Sequence, residues 1–537
     1  MNFFSLEFIV FLGACVAIYY IFPGKNRWFA LLLASVFFYV YSAGMWAFVF
    51  IFTTALTTYL GGRLIEFFNA WYQKKVKNAG EEFTREDKKR LKKKTDLKKR
   101  VVFLLVLLLN LGFLIVLKYG DFLAENINGL LSRVSFTRGN AIPVPDFILP
   151  LGISFYTLQS LGYLIDVYRG KYECERNPLK HLLFVTWFPQ VIQGPINRCD
   201  VMRRTLYEGA AWDEMRIQKA ILRILWGYLK KIVVAERAAI FVDKVLPNTL
   251  TYNFQGLVVF IAALLYGVQI YADFSGGMDI VFGVSELFGI EMTENFNQPY
   301  LAKSVAEFWK RWHITLGHWM RDYVFYSIAF SRPFGSLQKK MKKKYGPYIG
   351  KVFPSFLASF IVFMLVGLWH GAAWKYIVYG TYHAIFVSSA TLLEAPYEKM
   401  RNLLHIRAES FGWKCFQIIR TVVIITLGRY FILARSVSEG FGFWRNTFAR
   451  WNPWVLTDTT MYSFGLTRRN IDLLMLCIIT MLLVDVLNEK GIRVRDHLAR
   501  QGIVFRYIIY LAAIMVILIY GIYGPGYDAG AFIYQQF

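Results

Sequence analysis

The stretch K88-KRLKKKTDLKKRVVFLLVLLLNLGFLIVLKY-119 sets a dense basic run directly against an apolar one. Val101 to Leu117 carry no charge, and such a window is about the length that an α-helix needs to cross a bilayer. The basic part belongs to a longer segment, Tyr72–Arg100, with thirteen Lys/Arg against five acids (Glu81, Glu82, Glu86, Asp87 and Asp96). A positive surplus beside a spanning helix marks the cytoplasmic side. Further apolar windows fall near 3–22, 27–43, 45–66, 257–288, 352–370, 374–393, 412–434, 470–487 and 503–523. The chain therefore reads as an all-α polytopic membrane protein, a single domain over 1–537 with about 11–13 helices. Three spans ahead of the 72–100 segment put the N-terminus outside.

Composition agrees. The chain is 56% hydrophobic and 18% aromatic, with a mean hydropathy of +0.39. Its net charge of +25 sits mostly in short clusters between apolar runs, K339-KMKKK among them. Such clusters set topology, mark cytoplasmic loops and meet anionic lipid headgroups. No recognisable nucleic-acid module accompanies them, so nucleic acid is not expected as a partner. Cys15, Cys174, Cys199, Cys415 and Cys477 have no paired spacing, which argues against a zinc ribbon or a disulfide framework. Asn2–Phe22 has neither a basic leader nor a small-residue cleavage site and reads as a retained helix.

Between the spans, the mostly neutral stretch to Asp146, with Pro143 and Pro145, should face the exterior. L149-PLGISFYTLQSLGYLIDVYRG returns the chain inward. H181-LLFVTWFPQVIQGPINR is apolar but interrupted by Pro189 and Gly194-Pro195. It suits a short or re-entrant helix, since broken backbone at membrane depth is tolerated where it lines a cavity. Residues 213–235 alternate basic and apolar faces and suggest an interfacial helix.

Ionisable groups in hydrocarbon are costly and mark function. They concentrate in 271–384, read here as the catalytic core: Y271-ADFSGGMDI, T293-ENFNQPYLAKSVAEFWKRWHITLGHWMRDYVF, V366-GLWHGAAW and Y379-GTYHA. Ser304 followed by Glu307 makes a helix start, after which Trp309, His313, Leu316 and Met320 share one face. Low dielectric and the neighbouring Lys310 and Arg311 keep His313 neutral, which suits a general base; a structural histidine among tryptophans explains the pattern as well. His318, about 140° round the same helix, faces elsewhere, so no metal pair is expected. His370 lies deep in an uncharged window between Gly367 and Gly371, which permit close approach by a substrate or another backbone. His383 reads as structural. Asp273 and Ser275 either line a polar cavity or, for Asp273, pair with a cation such as Arg311 or Arg321. N295-FNQPY reads as a turn with polar amides. Phosphate-loop, zinc-helix and serine-elbow motifs are absent from the sequence.

Taken in order, D273-FSGGMDI, E294-NFNQPYL, F308-WKRWHITLGHWMRDY and G367-LWHGAAW resemble the membrane-bound O-acyltransferase superfamily. The likeness is greatest to the bacterial branch: the alginate and peptidoglycan O-acetyltransferase membrane subunits and the teichoic acid D-alanyl transfer protein. L149-PLGISFYTLQSLGYLIDVYRG, F188-PQVIQGPINR, L433-ARSVSEGFGFW and F532-IYQQF extend it over most of the chain. The resemblance implies a ring of tilted helices around a thin partition pierced by a tunnel, in a bacterial inner membrane. It implies His370 as the principal catalytic residue and His313 in support, with Asp273, Ser275, Asn297, Trp309, Trp312, Arg321 and Trp369 as tunnel or substrate contacts. It implies a cytoplasmic thioester donor, acetyl-CoA or an acylated carrier protein, docking over the basic segments. His313, or a donor from Asn297, Trp309 or Trp312, would orient the acceptor or stabilise the oxyanion. A polysaccharide acceptor and an exported or small membrane partner protein complete the picture. A329-FSRPFGSLQKKMKKKYG is longer and more basic than in alginate-type relatives and nearer the D-alanyl type. A proton-coupled transporter is the competing class, but no paired repeat is visible; a non-catalytic scaffold would need neither histidine.

Overall fold

In hydrocarbon every backbone N–H and C=O needs an internal partner, so long apolar runs become helices. The computed structural model describes residues 1–80, 83–132, 142–144 and 148–523. Glu81, Glu82, Pro145, Asp146 and the tail from Gly524, with its F532-IYQQF motif, lie outside these residues. Among the described residues, seven helices are long and apolar enough to cross a membrane. That is fewer than the 11–13 expected, partly because two of the predicted spans fold as one helix with a break and another is only 16 residues long.

The chain divides into two compact units. The first comprises Met1–Arg216 with Val284–Thr293, and the second Ile217–Gly283 with the chain from Glu294 onward. In the first unit lie α1 (Leu6–Ile21), α2 (Arg27–Asn78), α3 (Arg85–Leu131), α4 (Ile153–Tyr168), α5 (Pro178–Thr186) and α6 (Cys199–Leu206). Gly44, at φ 83°, breaks α2 between the two predicted spans. The 72–100 segment is not a loop. Its lysines and arginines extend the ends of α2 and α3, and Thr84 caps α3 through a reciprocal bond with Asp87. Lys and Arg are good helix formers, so charge alone does not interrupt the helix. The 181–198 region is the short helix α5 followed by buried, non-helical chain. Amide side chains satisfy that backbone: Gln159 and Gln190 both donate to the Phe184 carbonyl, at 2.7 and 2.9 Å. Gly152, at φ 70°, starts α4 where a Cβ would overlap the Val191 carbonyl.

The second unit holds most of α7 (Glu214–Tyr228) and of α9 (Leu257–Leu287), with α8 (Glu236–Val245), α10 (Val305–Arg311), α11 (Ile314–Trp319) and α12 (Tyr326–Ala329). Then come α13 (Arg332–His370), α14 (Trp374–Leu392), α15 (Glu394–Leu403), α16 (Phe411–Leu433), α17 (Val437–Ala449), α18 (Arg468–Glu489), α19 (Val494–Ala499) and α20 (Ile503–Tyr520). The K339-KMKKK patch is also helical, the opening part of α13; only Gly346, at φ 89°, interrupts it. No residue of α20 is buried, although it is almost wholly apolar. Charged groups are buried instead, Lys231 and Asp273 among them. That inversion of the soluble pattern is what a lipid-facing exterior requires.

Residues 213–235 are not a simple interfacial helix. After α7 the chain widens into a π-helical turn, Leu229–Ala235, which buries Lys230 and Lys231. Gly227 lets this turn lie against α9, since a Cβ there would come 2.6 Å from the Gly276 carbonyl. Lys231 Nζ meets Asp273 and Glu236, each at 2.6 Å, and Lys230 Nζ meets Asp279 at 2.5 Å. Asp279 also takes Arg223, at 3.0 Å. Asp273 is thus ion-paired, but with Lys231 and not with Arg311 or Arg321. Arg311 is occupied by Glu307 and Glu489, at 2.8 and 2.7 Å, and Arg321 by Asp322 at 2.8 Å.

Helices α13 and α14 cross through glycine. A Cβ on Gly380 would lie 2.6 Å from the Phe363 carbonyl and 2.9 Å from the Gly367 Cα. The glycine before His370 therefore serves backbone approach. Gly380→Ala should cost about 1–3 kcal/mol by forcing the helices apart. Thermal unfolding in nanodiscs measures the effect; an unchanged midpoint would contradict the close crossing.

Candidate active site

The helix predicted from Ser304 through Met320 is broken. Ser304 does cap α10, its Oγ accepting from the Glu307 amide at 3.1 Å. Trp312 is extended, however, and His313 takes the left-handed conformation, φ 47° and ψ 53°. His313 therefore shares no continuous helical face with Trp309, Leu316 and Met320, and His318 belongs to the separate helix α11. The break is held by the strand-like run at 295–297. Asn297 N donates to the Arg311 carbonyl (3.0 Å) and Ile314 N to the Asn295 carbonyl (2.9 Å). The Asn295 side-chain oxygen accepts from Thr315 N (3.1 Å) and Thr315 Oγ1 (2.9 Å), and lies 3.2 Å from His313 Nδ1. One buried amide thus caps α11 and orients the imidazole.

His313 is 3% exposed. Burial pushes its pKa down to about 3, with neighbouring His370 acting in the same direction. It is a neutral imidazole at physiological pH, and desolvation rather than Lys310 or Arg311 is the main cause. Its ring packs edge-on to Phe274 at 5.0 Å and to Trp369 at 5.5 Å. Trp369 leads to His370 at 5.2 Å, His370 to Tyr379 at 5.7 Å, and Tyr379 to His383 at 4.6 Å. Trp309 closes on His383 at 5.1 Å. His313, Trp369, His370, Tyr379, His383 and Trp309 thus form one continuous cluster from three stretches of sequence.

Of the residues singled out in the sequence, this cluster gathers His370, His313, Trp369 and Trp309. Trp312 is buried beside it, stacked on Phe308 at 5.5 Å. Asp273 and Ser275 are buried in the ion-pair layer, where Ser275 Oγ accepts from Lys230 at 2.9 Å. Asn297 and Arg321 are exposed and do not join the histidines. Asn295, two residues from Asn297, takes the polar role instead. His383, read as structural, belongs to the cluster: it is 1% exposed, and neither ring nitrogen has a hydrogen-bond partner among the described residues. Its spacing, thirteen residues past His370 on the next helix, was the one signal that could have marked it. A separate surface cavity of about 860 Å³, lined by Lys244, Tyr252, Asn253, Arg450 and Trp454 among others, contains none of these residues.

The sequence model of the membrane-bound O-acyltransferase family matches residues 176–341, a span that includes His313. The chain is 29% identical over 416 residues to a probable alginate O-acetylase of Azotobacter vinelandii, covering 76% of this chain and 73% of that protein. It is 31% identical over 316 residues to the peptidoglycan O-acetyltransferase of Helicobacter pylori (54% of this chain, 55% of the relative). It is 32% identical over 266 residues to the teichoic acid D-alanyltransferase of Bacillus subtilis (49% and 64%). With its polytopic helices, the chain is similar to the membrane-bound O-acyltransferases, whose family model it matches over 176–341, and reads as an acyltransferase.

Proposed function

We propose that this chain transfers an acyl group, acetyl in the first place, from a cytoplasmic thioester to a hydroxyl of a cell-surface polysaccharide. The observation that carries the proposal is the position of His370, buried at the end of α13 with Trp369, Tyr379 and neutral His313 around it. A desolvated imidazole there suits proton transfer. The acceptor hydroxyl gives its proton to His370 as its oxygen attacks the thioester carbonyl. Collapse of the adduct breaks the C–S bond, and the departing thiolate takes that proton, leaving an ester and a free thiol. Trp309 Nε1, buried without a partner among the described residues, is the better oxyanion donor, because Asn297 is exposed and Trp312 is packed away.

The exposed lysines of α3 and of the first part of α13 supply a positive surface for CoA phosphates or an acidic carrier protein. The host membrane in this reading is a bacterial inner membrane, with the N-terminus outside and an exported partner completing delivery. D-alanyl transfer from a carrier protein is the second reading, favoured by the basic 332–345 helix and the Bacillus relative. Purified protein in nanodiscs, offered radiolabelled acetyl-CoA or a D-alanylated carrier protein, tests both. Consumption of acetyl-CoA supports the first and consumption of the carrier thioester the second; turnover of neither donor would sink both.

A further inference from the structure

Arg429 lies on α16, a membrane-spanning candidate, and is 2% exposed. Among the described residues no carboxylate lies within 4.0 Å of it, and its one hydrogen bond runs from Nη2 to Tyr300 Oη, at 2.7 Å. Tyr300 is no counter-ion. Its hydroxyl donates to the Gly267 carbonyl at 2.6 Å, and desolvation pushes the phenol pKa upward. The nearby Asp485 is held by Tyr271 Oη at 3.0 Å, and the Tyr271 and Tyr300 ring centres are 5.3 Å apart.

Arg237 is a useful contrast. It too is buried without a carboxylate partner, but its three nitrogens donate to Asn470, the Val233 carbonyl and the Tyr520 carbonyl. That arginine is satisfied by the protein, whereas Arg429 spends one of five N–H donors. A buried guanidinium with so few protein partners is unfavourable unless a bound group completes it. The α16 backbone next to Arg429 lies against the histidine cluster. A Cβ on Gly428, its chain neighbour, would come 2.9 Å from His383 Nε2, one of the two unpartnered nitrogens of that ring. Gly267 leaves room on the other side, since a Cβ there would overlap Arg429 Nη1.

We infer that Arg429, with His383 beside it, is a buried recognition site for an oxyanion of the substrate, a carboxylate or phosphate group carried by the acyl acceptor. The acceptor is the source favoured by position. Arg429 lies near the C-terminal end of α16, where the Ile432 and Ala434 carbonyls receive Lys375 from the start of α14. The basic part of α13, where a donor would dock, is at the far end of that long helix from His370. The inference rests on the acyl-transfer reading for its biological role, but not for the existence of the anion site.

Two measurements keep the two claims apart. The first is thermal unfolding in nanodiscs at constant ionic strength, with chloride replaced stepwise by inorganic phosphate or by glucuronate. Wild type should be stabilised by at least one of them, through binding to the folded state alone. Arg429→Met should start from a higher midpoint without the anion and show no response. The second is transfer to an anionic acceptor oligosaccharide and to its neutral counterpart. Arg429→Gln should raise KM for the anionic acceptor by about tenfold to a hundredfold, with little change for the neutral one, and Arg429→Lys should recover part of the loss. A rise in KM for the thioester instead would overturn the acceptor assignment and put the anion on the donor. An Arg429→Met protein that answers phosphate or glucuronate as wild type does, or an Arg429→Gln enzyme with unchanged KM values, overturns the site. Absence of any transfer by wild type overturns the acyl-transfer reading, and the thermal response then still decides on Arg429.

Discussion

His370→Ala should leave the protein folded and lower acyl transfer by about a hundredfold to ten-thousandfold, the range a positioned general base supplies. Three features point to an effect of this size. The imidazole is 3% exposed, so bulk water is a poor substitute for it. It terminates a helix whose crossing with α14 is set by glycine backbones, so its position is rigid. His313 is held by Asn295 and packs against Trp369, so it is not free to move into the vacated place. The measurement is label transfer in nanodiscs, with the unfolding midpoint of each protein as the control for folding. Equal rates for wild type and variant would remove His370 from the chemistry. A comparable loss in His313→Gln would assign the proton transfer to the pair and not to His370 alone.

The second large effect is on stability. Lys231→Met should destabilise the protein by about 3–5 kcal/mol, because it removes the cation 2.6 Å from the buried Asp273 carboxylate. The double variant Lys231→Met/Asp273→Leu should recover most of that loss, since an apolar pair of similar volume replaces a buried ion pair at little net cost. Asp273 and Lys231 side chains are each about 2–3% exposed and 2.6 Å apart, so solvent screens them little. Glu236, also paired with Lys231, is 20% exposed and can be solvated once the lysine is gone. Unfolding midpoints in one detergent would compare wild type with both variants. If the single and double variants lose the same amount, the pair is not what holds the π-helical turn against α9.

Much of this architecture was legible locally. The apolar windows near 27–43 and 45–66, the 16-residue first helix and the spans that became α9, α16, α18 and α20 follow from hydropathy, which is a property of contiguous residues. His370 stood out because an ionisable group in a long uncharged run is costly wherever the chain folds. The basic segments were also visible, though not their helical state, because charge reports which medium a segment meets and not its backbone conformation.

Partner choice was not legible. Arg311, Arg321, Lys230 and Lys231 were equally eligible cations for Asp273; packing of Gly227 against Gly276 selected Lys231. Asn295 and Asn297 look alike in a polar turn, yet only Asn295 points into the break before α11, which itself opposes the helical period of 304–320. His383 and Arg429 lie 46 residues apart on different helices. The sequence by itself determined a membrane-embedded helical chain, because transfer free energies act residue by residue, and its ordered motifs carried the resemblance to acyltransferases. The tertiary structure decided which polar groups are paired and which are left facing a substrate, because hydrogen bonds and ion pairs depend on distances between segments far apart in the chain.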